Sequence, residues 1–480
     1  MIARRVIGPV LAGALVASST PPAAAQTPTG RDVVEALAFG PLTFEQPTVT
    51  GHEVAGVRVL VLEDHDLPLV SVYAYFRGGY GIFDREYYAP AMGLPSLLRY
   101  GGTTTLAPDS VDEMLEYYAI QTSFGTGGGS ITSTVNTLTE HLGVAMGLWG
   151  DLLTSPGFDE DEIEVWRGSA LEGVLRRADD PTRLAFSEFN RLMYGDHPIG
   201  WEMSETDLAP DRVAGDRFRR VHRDIVCREN LVLGVTGAAS WSDVETLIEG
   251  LVERVRPCRE DLPEAPLPDV RQTAGVFLIE KDVEQAVIVM AHATDVRLAD
   301  DPAYFSAVLG NSILGGGGFS SRITRRVRTE EGYAYSATSL WTTPRKYEGL
   351  LGAVTGTSPE NTVPAIRVIL ETMEELRASP PTDAEVLTTV DRIVNGFVFN
   401  FDTPGQIVSR MMYYLAQDLP DDWLDRYWRG VQKVTPASIQ RVFGEHLRPE
   451  EMTILVVGAP DRIGREALAE LGAVTVLEVR

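Results

Sequence analysis

The chain has 480 residues, more than one ordinary hydrophobic core organises, so two or more domains are expected. Hydrophobic residues at 44% and a mean hydropathy of -0.04 describe a soluble globular protein rather than a fibrous or membrane-embedded one. A formal charge of -26 repels phosphate backbones, which excludes nucleic acid as a partner.

Met1-Ile2-Ala3-Arg4-Arg5, an apolar stretch over residues 6–18 and Ala23-Ala24-Ala25 have the order of a secretory signal peptide, residues 1–25, cut after Ala25. Loss of Arg4 and Arg5 would take the charge from -26 to -28. The apolar stretch is short and broken by glycine and proline, so no membrane span is expected after cleavage; an uncleaved anchor is the alternative. The protein is therefore expected to be exported, to a periplasm or outside the cell. Residues 26–45, polar and proline-bearing, form a lead-in.

Val57-Arg58-Val59-Leu60-Val61-Leu62 and the stretch 69–76 read as strands around a turn at Asp64-His65-Asp66. Ser110-Val111-Asp112-Glu113 has the pattern of a capping box ahead of a stripe of Val111, Met114, Leu115 and Tyr118. Thr137-Leu138-Thr139-Glu140 opens a second helix, with Leu138, Leu142, Ala145 and Trp149 inward, ending at Ser155-Pro156. A third starts around residues 159–162, and Asp180-Pro181 starts a fourth. Whether Cys227 and Cys258 are bridged stays open, because export favours a disulfide while Cys227 also reads as a small buried residue.

The second half repeats the first. Gly275-Val276 answers Gly56-Val57 at an offset of 219, Ser379-Pro380 answers Ser155-Pro156 at 224, and Arg441-Val442 answers Arg220-Val221 at 221. Near-constant offsets indicate a duplicated unit. The expected domains are residues 46–256 and 274–475, joined by a proline-rich linker over 257–273. Each half runs strands, helices, then a final strand. That order predicts an α+β class of two lobes, each a mainly antiparallel sheet with helices on one face.

The most informative stretch is Leu314-Gly315-Gly316-Gly317-Gly318-Phe319-Ser320-Ser321-Arg322. The glycines are expected to open a helix that Ser320 or Ser321 could cap, with Ile323 and Val327 inward and an end near residues 329–332. Tyr333 to Thr338 then alternates as a strand, which puts Tyr333 and Tyr335 on one face. Phosphate binding is weakly supported, since no Gly-Lys-Ser/Thr or Gly-x-Gly-x-x-Gly unit accompanies the loop. A tight hinge bringing helix against sheet is the alternative.

Gly-Gly-Gly-Phe-Ser-Ser-Arg followed by Arg328-Thr329-Glu330-Glu331-Gly332-Tyr333-Ala334-Tyr335 resembles the C-terminal half of the pitrilysin/insulinase/mitochondrial-processing-peptidase family of zinc metallopeptidases. The resemblance spans about residues 40–475 and implies lobes that face each other across a peptide-holding chamber. It implies that Arg328 clamps the substrate main chain and that Tyr335, seven residues on, donates to the oxyanion. Gly316, Gly317, Phe319 and Ser320 are implied to lie beside the substrate. In catalytic members His-x-x-Glu-His binds zinc; counted back from Gly102-Thr103, its positions fall on Met92, Pro95 and Ser96, and the distal ligand near Gly173. None of these can serve, and the seven histidines contain no pair at helical ligand spacing. No metal ligand is therefore expected on this chain. The expectation is a non-zinc subunit, inactive alone, whose homologous partner binds the zinc while Arg328 and Tyr335 face a peptide substrate. The alternative is a non-catalytic peptide-binding or structural assembly subunit of the same fold.

Overall fold

The computed structural model describes residues 48–271, 273–399 and 403–478; the expected signal peptide and lead-in lie outside these residues. The first sheet takes β1 (Thr50–Val54), β2 (Val57–Glu63), β3 (Leu69–Arg77), β4 (Gln121–Thr126), β5 (Ser130–Leu138) and β6 (Leu231–Gly237) in the order β1-β2-β6-β3-β5-β4. The second takes β7 (Gly275–Glu280), β8 (Ala286–Thr294), β9 (Ala334–Thr342), β10 (Gly349–Thr357), β11 (Thr453–Gly458) and β12 (Val474–Val476) in the order β12-β7-β11-β8-β10-β9. Five strands correspond one to one, so the duplication read from the sequence is a duplication of topology. β2 runs parallel to β6 and β7 parallel to β11, closing each unit's last strand beside its first. Only the outer edge differs: β1 is an antiparallel neighbour from the N-terminal side, whereas β12 arrives from the C-terminal end and runs parallel. The fold is α+β, with two mixed and mainly antiparallel sheets.

On one face of the first sheet Val57, Val59, Val61, Val70, Val72 and Phe76 pack against helix residues including Leu94, Leu97, Trp149, Leu152 and Phe218. This face accounts for the apolar stripes of helices Tyr88–Tyr100, Leu142–Thr154 and Gly215–Ile225. The opposite face of each sheet is covered by one helix from the other half of the chain. Helix Pro181–Tyr194 lays Leu184, Ala185, Phe189 and Met193 on Phe277, Val287, Val289, Leu455 and Val457 of the second sheet. In return helix Pro404–Ala416 crosses to the first, where a Cβ on Gly234 of β6 would collide with Val408 and Met412, and one on Gly405 with the Tyr73 hydroxyl. The two helices are repeat equivalents, each beginning at a proline behind a side-chain cap, Asp180 or Thr403. Covering both faces explains why β8, Ala-Val-Ile-Val-Met-Ala-His-Ala-Thr, is buried at all nine positions and hardly alternates.

Two local expectations change and one open question closes. Helix Pro108–Tyr117 begins at Pro108, so Ser110 lies within it and caps nothing; the fixed φ of proline suits the first helical position and outweighs the Ser-x-x-Glu pattern. β5 extends through Leu138, and a single tight turn over Thr139–His141 precedes helix Leu142–Thr154, because Thr137 and Leu138 complete the ladder with β3. The question of the cysteines is answered by proximity: Cys227 and Cys258 form a disulfide across 31 residues.

Candidate functional site

Helix Pro302–Asn311 runs into a wider π-helical turn, Ser312–Gly316, and then a tight turn, Gly318–Ser320. The glycines serve close packing. A Cβ on Gly315 would strike the backbone of Ser339 in β9, and Thr338 Oγ1 donates to the Gly315 carbonyl at 3.0 Å. The hinge reading therefore describes this loop better than a phosphate cradle. Neither serine caps a helix N–H: Ser321 Oγ donates to the Gly318 carbonyl at 2.8 Å, and Ser320 Oγ sits 3.5 Å from the Gly317 carbonyl. The following helical segment, Arg322–Thr324 continuing through Arg325–Glu330, ends before Gly332 at φ +68, the left-handed conformation that glycine adopts freely.

That segment carries four arginines, and three are neutralised. Arg322 makes two 2.8 Å bonds to Glu385, Arg325 pairs with Glu330 at 3.0 Å, and Arg326 pairs with Glu375 at 2.8 Å. The Arg322 hydrogen bonds hold the Glu385 carboxyl at about 2, well below the usual carboxylate range. Arg328 has no carboxylate partner among the described residues. Its guanidinium carbon lies 4.5 Å from the Phe319 ring centre and 4.4 Å from that of Tyr335. Both rings are strongly exposed, Phe319 at 73% and Tyr335 at 79%. The rings take the faces of the guanidinium and leave its N–H edges free to donate. Tyr333 precedes β9 and packs partly into the core, whereas Tyr335 is strongly exposed.

Of the loop residues expected beside substrate, Phe319 joins Arg328 directly. Gly317 and Ser320 turn instead toward Arg392, whose Nη1 donates to the Gly317 carbonyl and, at 3.1 Å, to Ser320 Oγ; Gly316 is exposed beside them. Arg392, on helix Asp383–Phe399, braces the loop by its hydrogen bonds, and nothing in its local sequence sets it apart.

Met92, Pro95 and Ser96 lie on helix Tyr88–Tyr100, with Met92 and Ser96 one turn apart. Met92 and Gly173, remote in sequence, line the same cavity of about 420 Å³, as the register drawn from Gly102-Thr103 requires. A thioether, a proline ring, a hydroxyl and a glycine do not fit a zinc ion, which takes imidazole, thiolate or carboxylate. Glu172 points to solvent and pairs with Arg176 at 2.7 Å. Among the described residues the one cluster of three ligand-type side chains is Cys227, Glu229 and Cys258, where both thiols are spent in the disulfide.

The histidines have other partners. His222 Nε2 donates to the Leu153 carbonyl at 2.8 Å while Nδ1 accepts from Arg256 at 3.0 Å, and burial pushes its pKa down to about 4. The unfolded chain, with a value near 6.5, therefore takes up this proton first. Stability present above pH 6.5 is lost as pH falls toward 4, by about 2 kcal/mol at pH 5. His222→Gln is expected to flatten the pH dependence of chemical denaturation between 6.5 and 4; an unchanged slope would remove His222 as its origin.

Residues 212–393 match the family described as the peptidase M16 inactive domain. The chain is an M16 peptidase homologue. An uncharacterized zinc protease of Streptomyces coelicolor is 26% identical over 64% of this chain and 67% of its own length. The non-peptidase homolog YmxG of Helicobacter pylori is 20% identical over 84% and 92%. Among solved structures, a peptidase M16 inactive domain from Pseudomonas fluorescens superposes with a TM-score of 0.76 at 22% identity, over 86% of this chain and 98% of that one. The periplasmic protease PqqL from Escherichia coli gives 0.73 at 13% identity, over 88% and 49%. These likenesses establish the two-lobed fold of this M16 homologue. No described helix of the homologue is long and apolar enough to cross a membrane.

Proposed function

We propose that this M16 homologue is the non-zinc subunit of an exported two-chain metallopeptidase, supplying Arg328 and Tyr335 to a site whose metal is held by a homologous partner. One observation carries the reading: Arg328, alone of its four-arginine segment, is left without a carboxylate and held between two exposed rings, in a chain of charge -26. An arginine so held is oriented yet unsatisfied, as a clamp for a peptide carbonyl or carboxylate should be. The Tyr335 hydroxyl, with no hydrogen-bond partner among the described residues, suits donation to an oxyanion developing on a scissile carbonyl. Tyr335 stands near the start of β9, the edge strand of its sheet, where an extended peptide could lie alongside. The leader-like residues 1–25 and the likeness to a periplasmic protease support export.

Co-expression with an exported homologue carrying His-x-x-Glu-His should give a 1:1 complex that cleaves peptides, while this chain purified alone should hold no stoichiometric zinc and cleave none. Tightly bound zinc together with peptidase activity in the isolated chain would defeat the proposal. The name of the Helicobacter pylori relative favours a second reading, a subunit of this fold with a purely structural or peptide-binding task. Under it the complex forms without need of Arg328 or Tyr335.

A further inference from the structure

The cavity at Met92 and Gly173 is not merely what remains of a metal site. One wall is the solvent-side face of the crossing helix Pro181–Tyr194, where Arg183, Ser187 and Asn190 follow one another at helical spacing. None of these three side chains has a hydrogen-bond or ionic partner among the described residues. Ser187 is 4% exposed as a residue and lines the cavity, so its hydroxyl is available to a group bound there. The facing wall is apolar, with Met92, Trp166 and Val174. At Gly173 a Cβ would meet nothing within 4 Å, so there is room where the distal ligand position falls. The charged groups lining the space are Arg177, Arg183 and Glu202; Arg177 and Glu202 lie 3.7 Å apart and offset each other, which leaves Arg183 in excess.

We propose that this cavity binds the C-terminal end of a peptide, with the free carboxylate at Arg183 and Ser187 and an apolar terminal side chain against Trp166 and Met92. Asn190 can donate to, or accept from, the last peptide unit. A single carboxylate neutralises the one unpaired cation, and an apolar side chain fills the facing wall. The assignment is independent of the role given to Arg328 and Tyr335.

The test titrates the full chain with an N-terminally labelled hexapeptide ending in leucine, as the free acid and as the carboxamide, by fluorescence anisotropy. The acid should bind about tenfold or more tightly than the amide, the difference expected for a charge-assisted pair. Arg183→Gln, an exposed substitution that leaves the core intact, should bring the acid to the affinity of the amide. Gly173→Leu should weaken both by filling the space. Equal affinities for acid and amide, no binding of either, or an unchanged preference in Arg183→Gln would overturn the proposal. So would loss of the preference in Arg328→Ala but not in Arg183→Gln, which would place the carboxylate at the glycine-rich turn. Displacement by octanoate at lower concentration than by unlabelled peptide would assign the cavity to a simple organic acid and overturn the peptide assignment.

Discussion

Tyr335→Phe is expected to lower kcat of the proposed two-chain peptidase by about two to three orders of magnitude, the usual loss when one oxyanion donor is removed. The substitution deletes one hydroxyl from a side chain that is 79% exposed and supports no core contact, so folding and assembly should be unaffected. A group that acts only on the developing charge lowers kcat and kcat/KM together and leaves KM nearly constant. Arg328→Ala should differ in kind. A clamp on the substrate main chain acts before and during reaction, so KM should rise as kcat falls, with kcat/KM down by about two orders of magnitude. Phe319→Ala should give a weaker version of the Arg328 effect, because it frees one face of the guanidinium without removing its donors. Wild-type turnover in both Tyr335→Phe and Arg328→Ala would eliminate the proposed roles and leave the structural reading.

Phe189→Ala is expected to destabilise the fold by about 3–5 kcal/mol. Phe189 is 1% exposed on the crossing helix, and every first-half residue in that buried cluster comes from this helix or the segment beside it. Removing the ring opens a cavity where one half of the chain meets the sheet of the other, so the damage is to the coupling between lobes as well as to packing. Calorimetry should show one unfolding transition in the wild type and a broadened or divided one in the variant. The reciprocal contact can be tested by Gly234→Leu, whose side chain would collide with Val408 and Met412 and push helix Pro404–Ala416 off the first sheet. A loss below about 1 kcal/mol in Phe189→Ala, with a single sharp transition preserved, would mean that the helix exchange contributes little to joining the lobes.

The strands were legible because their signals are local. Val57-Arg58-Val59 and Thr453-Ile454-Leu455-Val456-Val457 announce themselves by β-branched runs bounded by turns, and their matching offsets exposed the duplication. Asp180 was readable as a cap for the same reason and accepts backbone N–H groups where expected, and Asp159 proves to cap the helix read as starting around residues 159–162. Failures came where two local signals compete. Ser110 and Pro108 both mark a helix start, and Leu138 fits the inward stripe of a helix as well as the last rung of a strand.

At the candidate site the sequence supplied Arg328, Tyr335 and Phe319 through a resemblance. It could not tell which of four neighbouring arginines would be neutralised, since Glu375 and Glu385 lie about fifty or more positions away. Arg392 was invisible for the same reason.

By itself the sequence determined the duplicated α+β units and the lack of zinc-binding side chains at Met92, Pro95 and Ser96, because periodicity and side-chain chemistry are properties of single segments. Only the tertiary structure decided that helices Pro181–Tyr194 and Pro404–Ala416 exchange sheets, that Cys227 meets Cys258, and that Arg183, Ser187 and Asn190 face an apolar wall. The physical reason is that an apolar helix face is equally well buried on either sheet. Which sheet it reaches depends on contacts hundreds of residues apart, and no local pattern records them.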